Sequence, residues 1–209
     1  MANNKYIISY PRSGNTLFRA ILEYHSKQPT DGTCDNPKHK NRLMKPIIYK
    51  TRTNFIAYKS HIWDVVKPED KIYFIIRDYK ECIIRHNQKH RGISFALFKK
   101  QTLGLNNDYM ALLNSYHLHP GKKHIIYYED LIKGNLKELS YLLKSEHDFN
   151  IVRQIGLNAY PESETRGRII HHHVEKLTPK EQIQWDNHLK KNYPELYTEY
   201  LERYDLKNC

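Results

Sequence analysis

The chain has 209 residues, 39% of them apolar and gathered in separated clusters, which fits a single domain over 1–209 with a real core. No apolar run approaches the roughly 20 residues that span a bilayer. The N-terminal "MANNKYIISY" is too short an apolar run for a secretory signal, so a soluble, cytoplasmic protein with no membrane partner is expected. The formal charge of +11 favours a polyanionic partner: nucleic acid, an anionic surface, or a small ligand with several phosphates. Cys34, Cys82 and Cys209 lie far apart, without zinc or redox spacing, and read as free thiols in a reducing compartment.

In chain order, residues 5–9 read as a buried strand, and 16–26 as a helix with Leu17, Phe18, Ile21 and Leu22 on one face. The polar stretch 27–46, with three prolines, reads as a long loop. Short strands are expected at 47–50 and 54–59. "KIYFIIR", 71–77, is the clearest buried strand, followed by a helix over 79–90 and one or two helices over 95–117. "KHIIYY", 123–128, is a further strand, and the helix after it carries Leu131, Leu136, Leu139, Leu142 and Leu143. In "LTPKEQIQWDNHL", Thr178 is an N-cap, Pro179 sits at the first helical position and Glu181 closes a capping box. Strands alternating with helices predict an α/β fold with a mostly parallel central sheet flanked by helices. Ligands of such sheets bind beyond the carboxyl ends of the strands.

The strand at 5–9 runs into Ser13-Gly14-Asn15-Thr16 and then a helix, a turn that points backbone N–H groups and the helix dipole at one spot. An ATP-binding loop would read G-x-x-x-x-G-K-[ST]. Here the first Gly is absent, Asn15 stands where the Lys belongs, and the positive charge has moved to Arg12. Tyr10-Pro11-Arg12-Ser13-Gly14-Asn15-Thr16 closely resembles the 5′-phosphosulfate loop of sulfotransferases that use 3′-phosphoadenosine 5′-phosphosulfate. Leu17 replaces the Trp common in that family.

Three later segments extend the resemblance. Lys59-Ser60-His61 is similar to the family's Lys-Thr-His, whose His accepts the acceptor's proton and whose Lys contacts the donor. A His with a pKa near neutral suits that work. Arg77-Asp78 after "IYFII" is similar to the family's strand-ending Arg-Asp/Asn-Pro, with Tyr79 in place of Pro. Arg85 stands where the family has a Ser, eight residues after the Arg; both family residues hold the donor's 3′-phosphate, and an Arg can also bind phosphate. Arg166-Gly167-Arg168, twelve residues before Thr178 at its first residue, is similar to the C-terminal Arg-Lys-Gly segment with its last two residues inverted. His171-His172-His173 replaces the Gly-Asp-Trp part of that segment and is not read as a metal site. Tyr128-Glu129-Asp130 is similar to the family's Tyr-Glu-Asp, which implies Tyr128 near the adenine.

The resemblance implies a P-loop-like nucleotide-binding fold. It further implies in-line transfer of a sulfuryl group to a hydroxyl or amine of a small-molecule or glycan acceptor, without metal. His61 would be the general base, and Arg12 and Lys59 would stabilise charge on the departing phosphate. Arg12, Ser13, Gly14, Asn15, Thr16, Arg77, Arg85, Tyr128, Arg166, Gly167 and Arg168 would hold the donor. Two rival readings stand beside it. A P-loop phosphotransferase or ATPase would want a Lys before Thr16 and an acidic metal ligand after a strand, where Asp78 lies. A non-catalytic nucleic-acid binder is suggested by the charge and the 17 tyrosines, but its basic residues would form a stripe with interleaved aromatics. A donor-binding protein that has lost catalysis is a third.

Overall fold

The computed structural model describes residues 4–28, 30–32, 55–87, 93–103, 108–133, 148, 150 and 177–205. Five strands, β1 (Lys5–Ser9), β2 (Thr30–Gly32), β3 (Ala57–Ser60), β4 (Lys71–Ile76) and β5 (Lys123–Tyr127), form one sheet in the order β2-β3-β1-β4-β5. Every pairing is parallel. β1 is central: Ile7 lies opposite Lys59 on one side and Tyr73 on the other. The strand order reverses about β1, so the crevice beyond its carboxyl end is the place where such a sheet takes a ligand.

Both faces of the sheet are covered, which is why its strands read as continuous apolar runs. Alternate residues point to opposite sides. Ile7, Tyr73 and Ile75 pack with Leu17, Phe18 and Ile21 of α1 (Asn15–Ser26) and with Leu131 of α5 (Tyr128–Lys133). Ile8, Ile72, Phe74 and Ile76 face α2 (Tyr79–His86), α3 (Phe95–Leu103), α4 (Tyr109–Leu118) and α6 (Pro179–Asn192). Trp185 of α6 stacks on Phe98 of α3 with ring centroids 3.9 Å apart.

α6 begins as its sequence predicts. Glu181 N donates to Thr178 Oγ1 at 3.3 Å and Thr178 N donates to Glu181 Oε2 at 2.7 Å, closing the capping box. The strand expected at 54–59 forms as Ala57–Ser60, and the helix expected over 79–90 is described to His86. The expected strand at 47–50 and Leu136 to Leu143 lie outside the described residues.

One expectation fails. The stretch 27–46 is not all loop, because Thr30–Gly32 adds a parallel strand at the sheet edge. Its hold on α1 is polar. Arg19 Nε donates to Thr30 Oγ1 at 2.7 Å, and Thr30 N donates to Glu23 Oε1 at 2.7 Å, with both α1 side chains buried. The C-terminal stretch adds core where the sequence reading assigns no element. Past a short turn at Pro194–Leu196, a π turn (Tyr197–Leu201) and a 3-10 turn (Glu202–Tyr204) bury Tyr197, Tyr200, Leu201 and Tyr204. None of the described helices is long and apolar enough to cross a membrane.

Candidate functional site

The chemistry-bearing residues gather at the carboxyl ends of β1, β3 and β4. After β1 the chain turns sharply, with Arg12 at φ 72° and Gly14 at φ 91°. Only glycine takes that conformation at no cost. Gly14 has a second constraint: a Cβ there would lie 2.2 Å from Cδ2 of Tyr128, which is itself buried. The turn delivers Asn15 as the first residue of α1. The first N–H groups of a helix have no partner within it, so this end offers donors and partial positive charge to an anion. Ser13 is buried with its Oγ 3.3 Å from Cys82 Sγ, which ties the turn to α2. Asn15 Nδ2 donates to Ser9 Oγ at 3.0 Å, while its buried Oδ1 has no partner. Thr16 is half-buried and the Arg12 side chain is exposed.

β3 brings Lys59 and His61 beside this turn. His61 Nδ1 lies 2.6 Å from the carbonyl oxygen of Ser9 at the end of β1. A carbonyl can only accept, so Nδ1 carries the proton and Nε2 keeps its lone pair. Burial pushes the His61 pKa down to about 4, and the charges of Lys59, His86 and Arg12 push the same way against the hydrogen bond to Ser9. The imidazole is therefore neutral at pH 7. His86, in the last turn of α2, packs edge-on against Tyr10 at 5.4 Å, and its own pKa is lowered by burial and by Arg12. Tyr10 is fixed from α3, its OH donating to Gln101 Oε1 at 2.9 Å.

β4 ends in Arg77, whose guanidinium is buried and lies 4.2 Å from the Tyr128 ring centre. Its Nη1 donates to the Arg12 carbonyl at 3.3 Å, so β4 also braces the turn. Burial is the largest influence on the Arg77 charge and works against it, but Glu81, Tyr128 and Cys82 together outweigh it and hold the pKa above its ordinary value. Arg85 is buried as well, on the α2 face that carries Glu81. Asp78 is the N-cap of α2, accepting from Lys80 N at 2.9 Å. Tyr128 lies between Gly14 and Arg77, a packing position next to the loop.

Arg12, Ser13, Gly14, Asn15, Thr16, Lys59, His61, Arg77, Arg85 and Tyr128 thus meet at one end of the sheet. Arg166, Gly167, Arg168 and the His triplet lie outside the described residues. Among the described residues no group of three or more His, Cys, Asp or Glu could hold a metal ion. A cavity of about 290 Å³ opens elsewhere, lined by Tyr127, Thr198, Glu199, Tyr200, Glu202 and Arg203, none of which belongs to this cluster. Sequence reading missed Glu81, although its spacing of four residues from both arginines marks it as their helical neighbour. It also missed Ser9, which orients His61 only through its backbone, and so leaves no residue-type signal.

No protein-family model matches the chain, and neither does any curated protein. Among solved structures it matches mouse sulfotransferase SULT7A1 complexed with PAP, with a TM-score of 0.59 over 90% of this chain and 83% of that one. Sequence identity between the two is 13%, so what they share is the fold: an α/β parallel sheet flanked by helices, as found in a sulfotransferase.

Proposed function

We propose that the protein is a sulfotransferase that takes its sulfuryl group from 3′-phosphoadenosine 5′-phosphosulfate and passes it to a hydroxyl or amine of a small-molecule or glycan acceptor. One observation carries the reading. In a fold shared with a sulfotransferase, a turn into a helix N-terminus, a neutral histidine with an oriented lone pair and two buried guanidiniums meet at the switch point of the sheet. The residues fit such a co-substrate. Gly14 lets the turn pack directly against the Tyr128 ring while the first N–H groups of α1 stay free of helical partners and can donate to an anion. The base of the site is cationic without help from a metal.

The bound co-substrate supplies an activated sulfuryl group; the chain's own residues supply the rest. The turn at 13–16 and Arg12 hold its 5′ end, and Arg77 and Arg85 hold its 3′-phosphate. As the acceptor oxygen or nitrogen bonds to sulfur, its proton moves to His61 Nε2, while the bond from sulfur to the bridging oxygen breaks. Nδ1–H remains on the Ser9 carbonyl throughout, which keeps the ring aimed. Lys59 and Arg12 stabilise charge on the departing phosphate. Arg12 stays protonated and acts as a charge, not as an acid. Asp78 is engaged as a helix cap, which counts against its use as the metal ligand of an ATPase.

The test is thermal shift without metal, comparing 3′,5′-adenosine bisphosphate with ATP. Selective stabilisation by the bisphosphate is expected. Stabilisation by ATP alone, appearing with Mg²⁺, would replace this reading with a phosphotransferase.

A further inference from the structure

We infer that Glu81 is a built-in counter-anion of the 3′-phosphate site, setting how strongly the site holds its ligand. The inference rests on the function proposed above and concerns a residue outside the sulfotransferase resemblance.

One carboxylate binds both guanidiniums. Arg77 grips it with two bonds, Nε to Oε2 at 2.9 Å and Nη2 to Oε1 at 2.6 Å. Arg85 reaches the same Oε1 through Nε at 2.7 Å and Nη2 at 2.5 Å. The spacing 77, 81, 85 places all three on one face of α2 and its entry. The arginine side chains are 9% and 10% exposed, whereas Glu81 is 29% exposed. The cluster therefore carries one net positive charge, and its carboxylate is the member that solvent reaches most easily.

Two consequences follow. The guanidiniums are already ordered side by side, so an arriving phosphate finds its donors in place. That phosphate must also share them with Glu81 and is repelled by it, so a dianionic monoester gains more from the site than a monoanion does. Ser in the Arg85 position would supply no charge to offset a carboxylate here; Arg85 supplies it.

The experiment is a set of four proteins: wild type, E81Q, R85Q and the E81Q/R85Q double variant. Their clusters carry net charges of +1, +2, 0 and +1. Affinity for 3′,5′-adenosine bisphosphate and for adenosine 5′-monophosphate is measured by calorimetry at two salt concentrations. E81Q is expected to bind the bisphosphate about tenfold tighter than wild type, with a steeper salt dependence, and R85Q about tenfold more weakly. The double variant returns near wild type, and the 5′-monophosphate changes less than twofold across the set. E81Q binding the bisphosphate no tighter than wild type, with its fold intact by circular dichroism, overturns the inference. So does a 5′-monophosphate series that follows the same order, because the cluster would then face the other end of the ligand. Failure of the wild type to bind either nucleotide defeats the proposed function and this inference together. Nucleotide binding by the wild type with affinities independent of cluster charge defeats the inference alone.

Discussion

Acid should weaken this protein through His61 in particular. The unfolded chain takes up a proton on this residue near its ordinary pKa of 6.5, while the folded protein resists until about 4. Between those values the unfolded state binds the extra proton, so stability rises with pH. The contribution is complete above pH 6.5 and is lost as the pH falls towards 4. At about 1.4 kcal/mol per pKa unit, the loss is on the order of 3 kcal/mol, a large share of the stability of about 5–15 kcal/mol usual for a domain. Urea unfolding at several pH values between 4 and 7.5, in wild type and His61→Gln, isolates it. Glutamine can still donate to the Ser9 carbonyl but does not titrate, and His86, His124 and His188, whose pKa values are also lowered, contribute alike to both proteins. The difference between the curves should grow towards neutral pH. Under the proposed function, bound 3′,5′-adenosine bisphosphate would bring negative charge to Lys59 and Arg12, two of the cations that depress His61, so its pKa should climb towards neutrality on binding. A nuclear magnetic resonance titration of the imidazole reads this directly. A ligand-free His61 that titrates at 6.5, or unfolding curves that stay parallel across the window, would refute the burial and charge argument.

Three further outcomes follow from the same geometry. Gly14→Ala combines a positive φ with a contact of 2.2 Å to the Tyr128 ring, which Arg77 backs from its own side; it should cost more than about 2 kcal/mol in denaturant unfolding and abolish bisphosphate binding. Asp186→Ala removes the partner of buried Lys80, bonded at 2.8 Å, and of the Tyr79 hydroxyl, and should destabilise by about 3–5 kcal/mol in the same assay. Asp78 has its pKa raised to about 6 by burial, with Glu129 and Glu81 adding to the effect, so its ionised form burdens the fold as pH rises through 6. Asp78→Asn keeps an acceptor for Lys80 N and should stabilise by about 1–3 kcal/mol at pH 8 and by almost nothing at pH 4.

The elements that the sequence announces are those whose burial is two-sided or whose ends are chemically marked. "YIIS" and "KIYFII" are covered on both faces and read as unbroken apolar runs, and α6 is marked by its capping box. β2 is the counter-example. "TDG" offers no apolar residue, and it joins the sheet because buried Arg19 and Glu23 of α1 bind Thr30, a tie visible only once the helix and the strand are side by side. The C-terminal core, by contrast, is legible in its spacing: Tyr197, Tyr200, Leu201 and Tyr204 stand at i, i+3, i+4 and i+7 of one helical face, and all four are buried although the backbone there forms only short π and 3-10 turns. In the site, the order of the motifs placed the turn, His61 and Arg77 at successive strand ends, where the topology puts them. The burial of Arg85 was not legible, since a helical arginine reads as solvated until its carboxylate partner is known.

One departure from the sulfotransferase pattern, Tyr79 in place of proline, is met by other chemistry at the same place. Proline after the strand-ending Arg-Asp would stiffen the start of α2 through its fixed φ. Tyr79 has no such constraint, but its hydroxyl is bonded to Asp186 of α6, and neighbouring Lys80 bonds both Asp186 at 2.8 Å and the Tyr204 carbonyl at 2.7 Å. The helix that carries Glu81, Cys82 and Arg85 is thus anchored from the opposite layer and from the C-terminal turns. Cys82 then touches the turn between β1 and α1 through Ser13, and Arg77 touches it through the Arg12 carbonyl. Rigidity at the turn comes to depend on the distant end of the chain. Loss of Asp186 should therefore weaken nucleotide binding as well as stability, whereas a proline-started helix would transmit only the second effect.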